Sequence, residues 1–327
     1  MSIAAATVTS TDVPLDALRA LVAPVGRATA AERLTGGLFA TTYRVHLEGG
    51  TRVVVKTAPT GGDRLLTHEQ DLLRTEALVH RLACDRGLPV PRVLLADWSR
   101  TYLPGDAVVV THLDGVPLTE AQLDPDAAAR AQRGIGAATA GLHQIVGSEF
   151  GYPGRPGLQA ATWRTAFATL VETLLADAGH WSVAVPVEQV RAALARHADA
   201  LDDVAVPVLV HTDLWPGNVF VDAATGELTG LIDTERAMFG DPLVDLVGMN
   251  PFGRPEDDED LLAGYGDVAA PLDVTSPSAT ARLALYRLWL SLVMTIEVTP
   301  RGYEGDWVPG YVARVAQMLD EALAECR

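Results

Sequence analysis

The chain has 327 residues, 48% hydrophobic and 20% charged, with 29 Gly and 20 Pro, a globular composition that excludes disorder over most of its length and accommodates about two lobes. With 25 Lys and Arg against 42 Asp and Glu the net charge is −17, which opposes contact with phosphate backbones and anionic lipid, so neither nucleic acid nor a membrane is expected as a partner. Cys84 and Cys326 are too few for a disulfide framework, and the start lacks the basic segment and apolar run of a signal peptide, so a reducing cytoplasm is expected.

Asp16 to Val22 reads as a short helix, followed by strand patterns at Ala31 to Leu34, Phe39 to Leu47 and Arg52 to Lys56. Gly36-Gly37 and Gly49-Gly50 separate these strands and tolerate positive φ, the signature of an antiparallel meander. From Leu65 to Ala83, leucines at 65, 66, 72, 73, 78 and 82 predict an amphipathic helix, which Gly87, Pro89 and Pro91 stop. Val93 to Trp98 and Ala107 to Leu113 complete a β-β-β-α-β-β order. Asp114-Gly115 marks a hinge, at about 111–115, that divides an N-terminal lobe (1–113) from a C-terminal lobe (114–327).

Beyond the hinge the pattern is mainly helical: Pro125 to Ile145, Trp163 to Ala178, Val187 to Leu201, Thr280 to Val298 and Trp307 to Cys326. A β-like insert at Val208 to Val210, Val219 to Val221 and Leu228 to Ile232 interrupts it. The fold class expected is therefore α+β, with a small antiparallel sheet and one main helix in the first lobe. The acidic run at 255–260 reads as the solvated start of a helix, where the dipole favours acids.

The insert concentrates the chemistry. His211-Thr-Asp213-Leu-Trp-Pro-Gly-Asn218 places an Asp and an Asn on a loop between strands, and Asp233 ends the next strand. Phosphoryl transfer needs one carboxylate to orient or deprotonate the acceptor hydroxyl, and a carboxamide with a second carboxylate to hold Mg²⁺. Singly, such residues are ordinary turn formers. No H-E-x-x-H, G-x-S-x-G or Walker A segment points elsewhere.

The stretch HTDLWPGNVFVD…LTGLIDTERAMFGDPLVDL resembles the catalytic core of the aminoglycoside phosphotransferase family, whose fold is similar to that of protein kinases. The likeness starts near Gly36, runs through VVVKTA, LPVPRVLLAD, the hinge and the catalytic segment, and fades in the C-terminal helices. It implies a bilobal kinase-like fold, ATP or GTP with Mg²⁺, Asp213 as general base, Asn218 and Asp233 as metal ligands, and His211 as a buttress of the loop. A kinase also needs a strand lysine to bridge the phosphates and a helix glutamate to hold it. Lys56 fits the first role; Glu76 is preferred for the second, with Glu69 as its rival. Gly36 and Gly37 would offer backbone N–H groups to the nucleotide, and Thr111, His112 and Leu113 would lie along the purine.

After Asp233 the chain runs almost directly into the next helix, without a peptide-docking activation segment, so a small hydroxyl acceptor is expected. Thr234-Glu235 departs from the Trp or Phe common at the first of these positions. Asp245 is read as structural, Asp241 as a cap and His143 as a packed histidine. The acceptor expected first is a cationic antibiotic such as an aminoglycoside, from the net charge and from Glu256, Asp257, Asp258, Glu259, Asp260 and Glu297. A macrolide, a peptide antibiotic, and a metabolic sugar or amino alcohol are alternatives, as is a non-catalytic nucleotide-binding regulator. Retention of Lys56, Asp213, Asn218 and Asp233 argues against the regulator.

Overall fold

A computed structural model describes residues 13–34, 40–59 and 64–327; Gly36 and Gly37 lie outside them. The small lobe is an antiparallel sheet of β1 (Ala28–Leu34), β2 (Thr41–Leu47), β3 (Arg52–Thr57), β4 (Val93–Asp97) and β5 (Ala107–Thr111), in the order β1-β2-β3-β5-β4. Period-2 patterning orients it. Along β2, Tyr43, Val45 and Leu47 are buried while their neighbours are half-buried. Helix α1 (Leu15–Val22) covers that face with Leu18, Leu21 and Val22. The β2–β3 turn uses Gly49 and Gly50 at φ 89° and 87°, where a Cβ would be strained.

The long helix expected from Leu65 is shorter: α2 runs Leu72–Cys84. Before it lie a 3₁₀ turn, Thr67–Glu69, and Asp71 at φ 60°, a left-handed residue that breaks the helical path. Leucines 65 and 66 mimic helical period, but Leu66 is fully buried in the core of the large lobe. β5 ends at Thr111, two residues before the expected limit, and there the chain leaves the sheet.

The large lobe contains α3 (Pro125–His143), α4 (Trp163–His180), α5 (Val187–His197), α6 (Leu243–Met249), α7 (Glu259–Gly266), α8 (Pro277–Arg301) and α9 (Val308–Glu325). They pack on one core in which Trp163, Phe167 and Tyr286 are among the largest fully buried side chains. Two small sheets sit under the lobe boundary. One joins β11 (Leu228–Leu231), β10 (Val219–Val221) and β6 (Val116–Pro117); the other joins β8 (Gln159–Ala160), β7 (Phe150–Gly151), β12 (Met238–Gly240) and β9 (Val208–Val210). Strands β6, β7, β8 and β12 have no counterpart in the sequence pattern, because two or three residues show no periodicity. The acidic run does open α7, whose Asp258 accepts a hydrogen bond from Leu261 N at 3.0 Å. Helix α8 is long and apolar enough to cross a membrane, yet 72% of that window is buried inside the protein, as in a core helix.

Candidate active site

The loop after β9 is held from behind by one carboxylate. Asp245, fully buried on α6, accepts Thr212 N at 2.6 Å and His211 N at 3.1 Å, and pairs with His143 Nε2 at 3.0 Å. Thr212 sits at φ 67°, a conformation that the two backbone bonds maintain. A Cβ on Gly248 would lie 2.3 Å from the Thr212 carbonyl oxygen, so α6 lies directly against the loop. His143 also reaches the Tyr265 hydroxyl at 2.9 Å, the packed role expected of it.

His211 joins the loop to the Asp233 strand. Its Nε2 faces the Ile232 carbonyl at 2.9 Å, so that nitrogen carries the proton, and Nδ1 accepts from Asp213 N at 3.4 Å. Asn218 Nδ2 donates to the Asp213 carbonyl at 2.8 Å and lies 3.3 Å from its carboxylate, and Ile232 N donates to the Asn218 carbonyl at 3.0 Å. These bonds tie Asp213 and Asn218 to Ile232, the neighbour of Asp233, so that residues 20 apart in sequence form one unit. The enclosed setting of Asp213 pushes its carboxyl up to about 6, burial outweighing the nearby Arg236.

Lys56 projects from β3 into a nest of carboxylates. Its Nζ lies 2.7 Å from Glu76 Oε2, 2.7 Å from Asp233 Oδ1 and 3.7 Å from Glu235 Oε2. Burial opposes its charge, but the three acids hold it protonated, well above the usual lysine range. Burial also raises Asp233, yet Lys56 more than offsets that and keeps it ionised below the usual range. Glu76 goes the other way, raised by burial beyond what Lys56 restores. The choice of Glu76 over Glu69 follows from the short α2: Glu69 precedes the helix and turns to Arg236 at 3.2 Å and to Arg301.

Glu235 is the residue whose importance sequence reasoning missed. It is buried, its Oε2 has no hydrogen-bond partner, and burial pushes it up to about 7. Little in the sequence signals it, because Glu235 stands between Thr234 and Arg236 in an ordinary polar turn. Asn218 and Asp233 carry side-chain oxygens of the kind Mg²⁺ takes, while among the described residues no group of three or more His, Cys, Asp or Glu is placed to hold a metal ion. Asp233 keeps 32% of its side chain exposed.

At the lobe crossing, Thr111 Oγ1 accepts Arg92 N at 2.9 Å and His112 Nε2 accepts Arg44 Nε at 3.1 Å, so both side chains brace the sheet. Leu113 packs against Gly230 on β11, where an added Cβ would come within 2.4 Å of it. Asp241 accepts Leu243 N at 3.1 Å, as a cap, and also binds Tyr286 OH and Arg282, both at 2.5 Å. Several acids invoked for a cationic acceptor have partners within the protein: Glu256 pairs with Arg254 and Arg287, Asp260 with Arg133, and Glu297 with Arg236.

A family model for phosphotransferase enzymes (APH) matches residues 30–285. In structure the chain is similar to a protein from Thermobifida fusca described as a fructosamine-3-kinase, at 23% identity over 96% of this chain and 99% of that one, with a TM-score of 0.70. It is also similar to aminoglycoside phosphotransferase APH(4)-Ia in a ternary complex with AMP-PNP and hygromycin B, at 21% identity over 93% and 97% of the two chains, with a TM-score of 0.65. A protein from Ralstonia eutropha described as an aminoglycoside phosphotransferase reaches a TM-score of 0.68 at 12% identity, over 96% and 98%. No curated protein matches the sequence. The bilobal α+β fold is thus the protein-kinase-like one.

Proposed function

This chain belongs to the phosphotransferase enzyme family and is a small-molecule kinase, and we propose that it transfers the γ-phosphoryl group of Mg-ATP, or Mg-GTP, to a hydroxyl of an amino-sugar type of compound such as an aminoglycoside. The observation that carries this reading is the meeting of Lys56, Glu76 and Asp233 at 2.7 Å contacts with the Asp213–Asn218 loop across the lobe boundary. Lys56 would hold the α- and β-phosphates and Glu76 would hold Lys56. Gly36 and Gly37 would lend backbone N–H groups, and the backbone at Thr111, His112 and Leu113 would meet the purine. Asn218 and Asp233 would bind Mg²⁺, which neutralises the phosphate charge when present.

In the transfer itself the acceptor oxygen forms a bond to the γ-phosphorus while the bond to the β–γ bridging oxygen breaks. The nucleoside diphosphate leaves, and the hydroxyl proton goes to an Asp213 carboxylate oxygen. A carboxyl raised towards 6 is a stronger base than a solvated aspartate and is still largely ionised at pH 7. His211 keeps the loop in register as a positioning residue, through its bonds to Ile232 O and Asp213 N.

A second reading, a metabolic sugar or amino alcohol as acceptor, is favoured by the arginine partners of Glu256, Asp260 and Glu297, which reduce the free negative charge available to a polycation. The test is release of ADP or GDP across aminoglycosides, glycated amines, sugars and amino alcohols, with Asp213→Asn as control. Acceptor-dependent release, reduced about 10²–10⁴-fold in the variant, is expected for loss of a general base. Undiminished turnover by Asp213→Asn would refute its role, and the acceptor that supports turnover decides between the readings.

A further inference from the structure

The segment at residues 64–70 precedes helix α2 in the small lobe, yet its bonds go to the large lobe. Arg64 Nε donates to the Pro300 carbonyl at 2.8 Å; Thr67 N and Oγ1 bind Asp177 at 2.9 and 2.6 Å; Arg155 Nη2 donates to the Thr67 carbonyl at 2.9 Å. At its centre Glu69, fully buried, binds Arg301 at the end of α8 and Arg236 at 3.2 Å. A carboxylate removed from water is tolerated only with charge partners in good geometry, so this contact triangulates the segment between two large-lobe elements.

Apolar packing divides the same way. Leu66, Val79 and Ala83, from this segment and α2, belong to the large-lobe core, whereas α1 and β1, β2, β3 and β5 have a separate core. A small cluster, Leu73, Ala77 and Val108, joins α2 to the sheet. Arg236 closes the turn Thr234–Arg236 that begins at Asp233. The Glu69 contact therefore ties the helix bearing Glu76 and the turn bearing Asp233 to one body, and of the groups meeting at its ammonium, Lys56 alone is carried by the sheet.

We propose that Glu69 and Arg301 are positioning residues for phosphoryl transfer, a latch that seats α2 on the large lobe so that Glu76 and Asp233 form a fixed receptacle into which the sheet brings Lys56. The lobe boundary that matters mechanically then runs between the sheet and α2, and not only through the hinge. This inference rests on the proposed role of Lys56 in nucleotide binding.

Two readouts test it on the full chain. Calorimetry with Mg²⁺ and a non-hydrolysable ATP analogue, well below the melting temperature, should show binding weakened by about 10- to 100-fold in Glu69→Gln, the range typical when an outer partner that orients a ligand-binding group is removed. Arg301→Lys, which keeps the charge on Glu69, should recover most of the affinity. Hydrogen exchange on the nucleotide-free protein should speed up in α2 around Thr75 to His80 while β2 and β3 stay protected. Should Glu69→Gln not fold, Arg155→Ala is a milder cut of the same seat and should give the same selective exchange.

A Glu69→Gln protein that melts lower but binds the analogue as tightly as wild type would overturn the proposal. So would exchange that rises equally in α2 and the sheet. If wild type itself bound no nucleotide, the role of Lys56 would fall, while the exchange experiment would still decide whether the latch seats α2.

Discussion

Replacing Asp245 with Asn changes almost no volume behind the His211–Asn218 loop and so isolates its hydrogen-bond role. Its two oxygens serve Thr212 N, His211 N and His143 Nε2, at 2.6, 3.1 and 3.0 Å. An amide presents one oxygen, and in either orientation its NH₂ faces at least one backbone N–H, which is left buried and unbonded at a cost of about 1–3 kcal/mol. The remaining bonds lose their charge-assisted character, roughly 1 kcal/mol each, which brings the destabilisation to about 3–5 kcal/mol. At about 2 °C per kcal/mol for a chain of this size, the melting temperature should fall by about 6–10 °C. Thr212, freed to leave φ 67°, shifts the adjacent Asp213; a displacement near 1 Å is worth about 100-fold in turnover. Thermal melts combined with diphosphate-release rates measure both effects, and nucleotide affinity should change little because Lys56 and Glu76 lie on other elements. A melting temperature within about 2 °C of wild type, with turnover within about twofold, would refute the reasoning.

Gly248→Ala places a methyl 2.3 Å from the Thr212 carbonyl oxygen, so α6 or the loop must move; steady-state kinetics should show lower kcat with little change in nucleotide KM, and a stability loss of about 1–3 kcal/mol from overpacking. Protein stability should also fall in mild acid. Burial holds His68 down at about 4 against an ordinary 6.5, so between these values the unfolded chain binds a proton that the folded one does not. That contribution, about 3 kcal/mol, is fully present above pH 6.5 and is lost as pH falls towards 4. His68→Phe, which keeps a ring against Tyr152 (centroids 5.4 Å apart), should reduce the slope of urea-melt stability against pH by about one proton in that window; an unchanged slope would remove His68 as its source.

Much of the site was legible because it is local. The candidate residues from His211 to Asn218 lie on one short loop between apolar strands, where spacing alone brings carboxylate and carboxamide together. Lys56 was visible as a cation ending a run of valines, and the Gly49-Gly50 turn as a pair free to adopt positive φ. Glu76 was separable from Glu69 by interval, but the reason for its position is tertiary. The helix begins after a left-handed Asp71, and the buried arginines Arg236 and Arg301 draw Glu69 to the other side of the boundary.

The sequence by itself determined the order of the main strands and helices, the turn chemistry and which residues are candidates for the chemistry, since these depend on period, propensity and spacing along the chain. Only the tertiary structure decided that Glu235 stands beside Lys56, that acids of the helical lobe are neutralised by arginines up to 127 residues away, and that α2 packs with the large lobe. Those outcomes follow from the cost of burying charge and apolar surface, which is set by whichever partners the whole fold brings within contact distance.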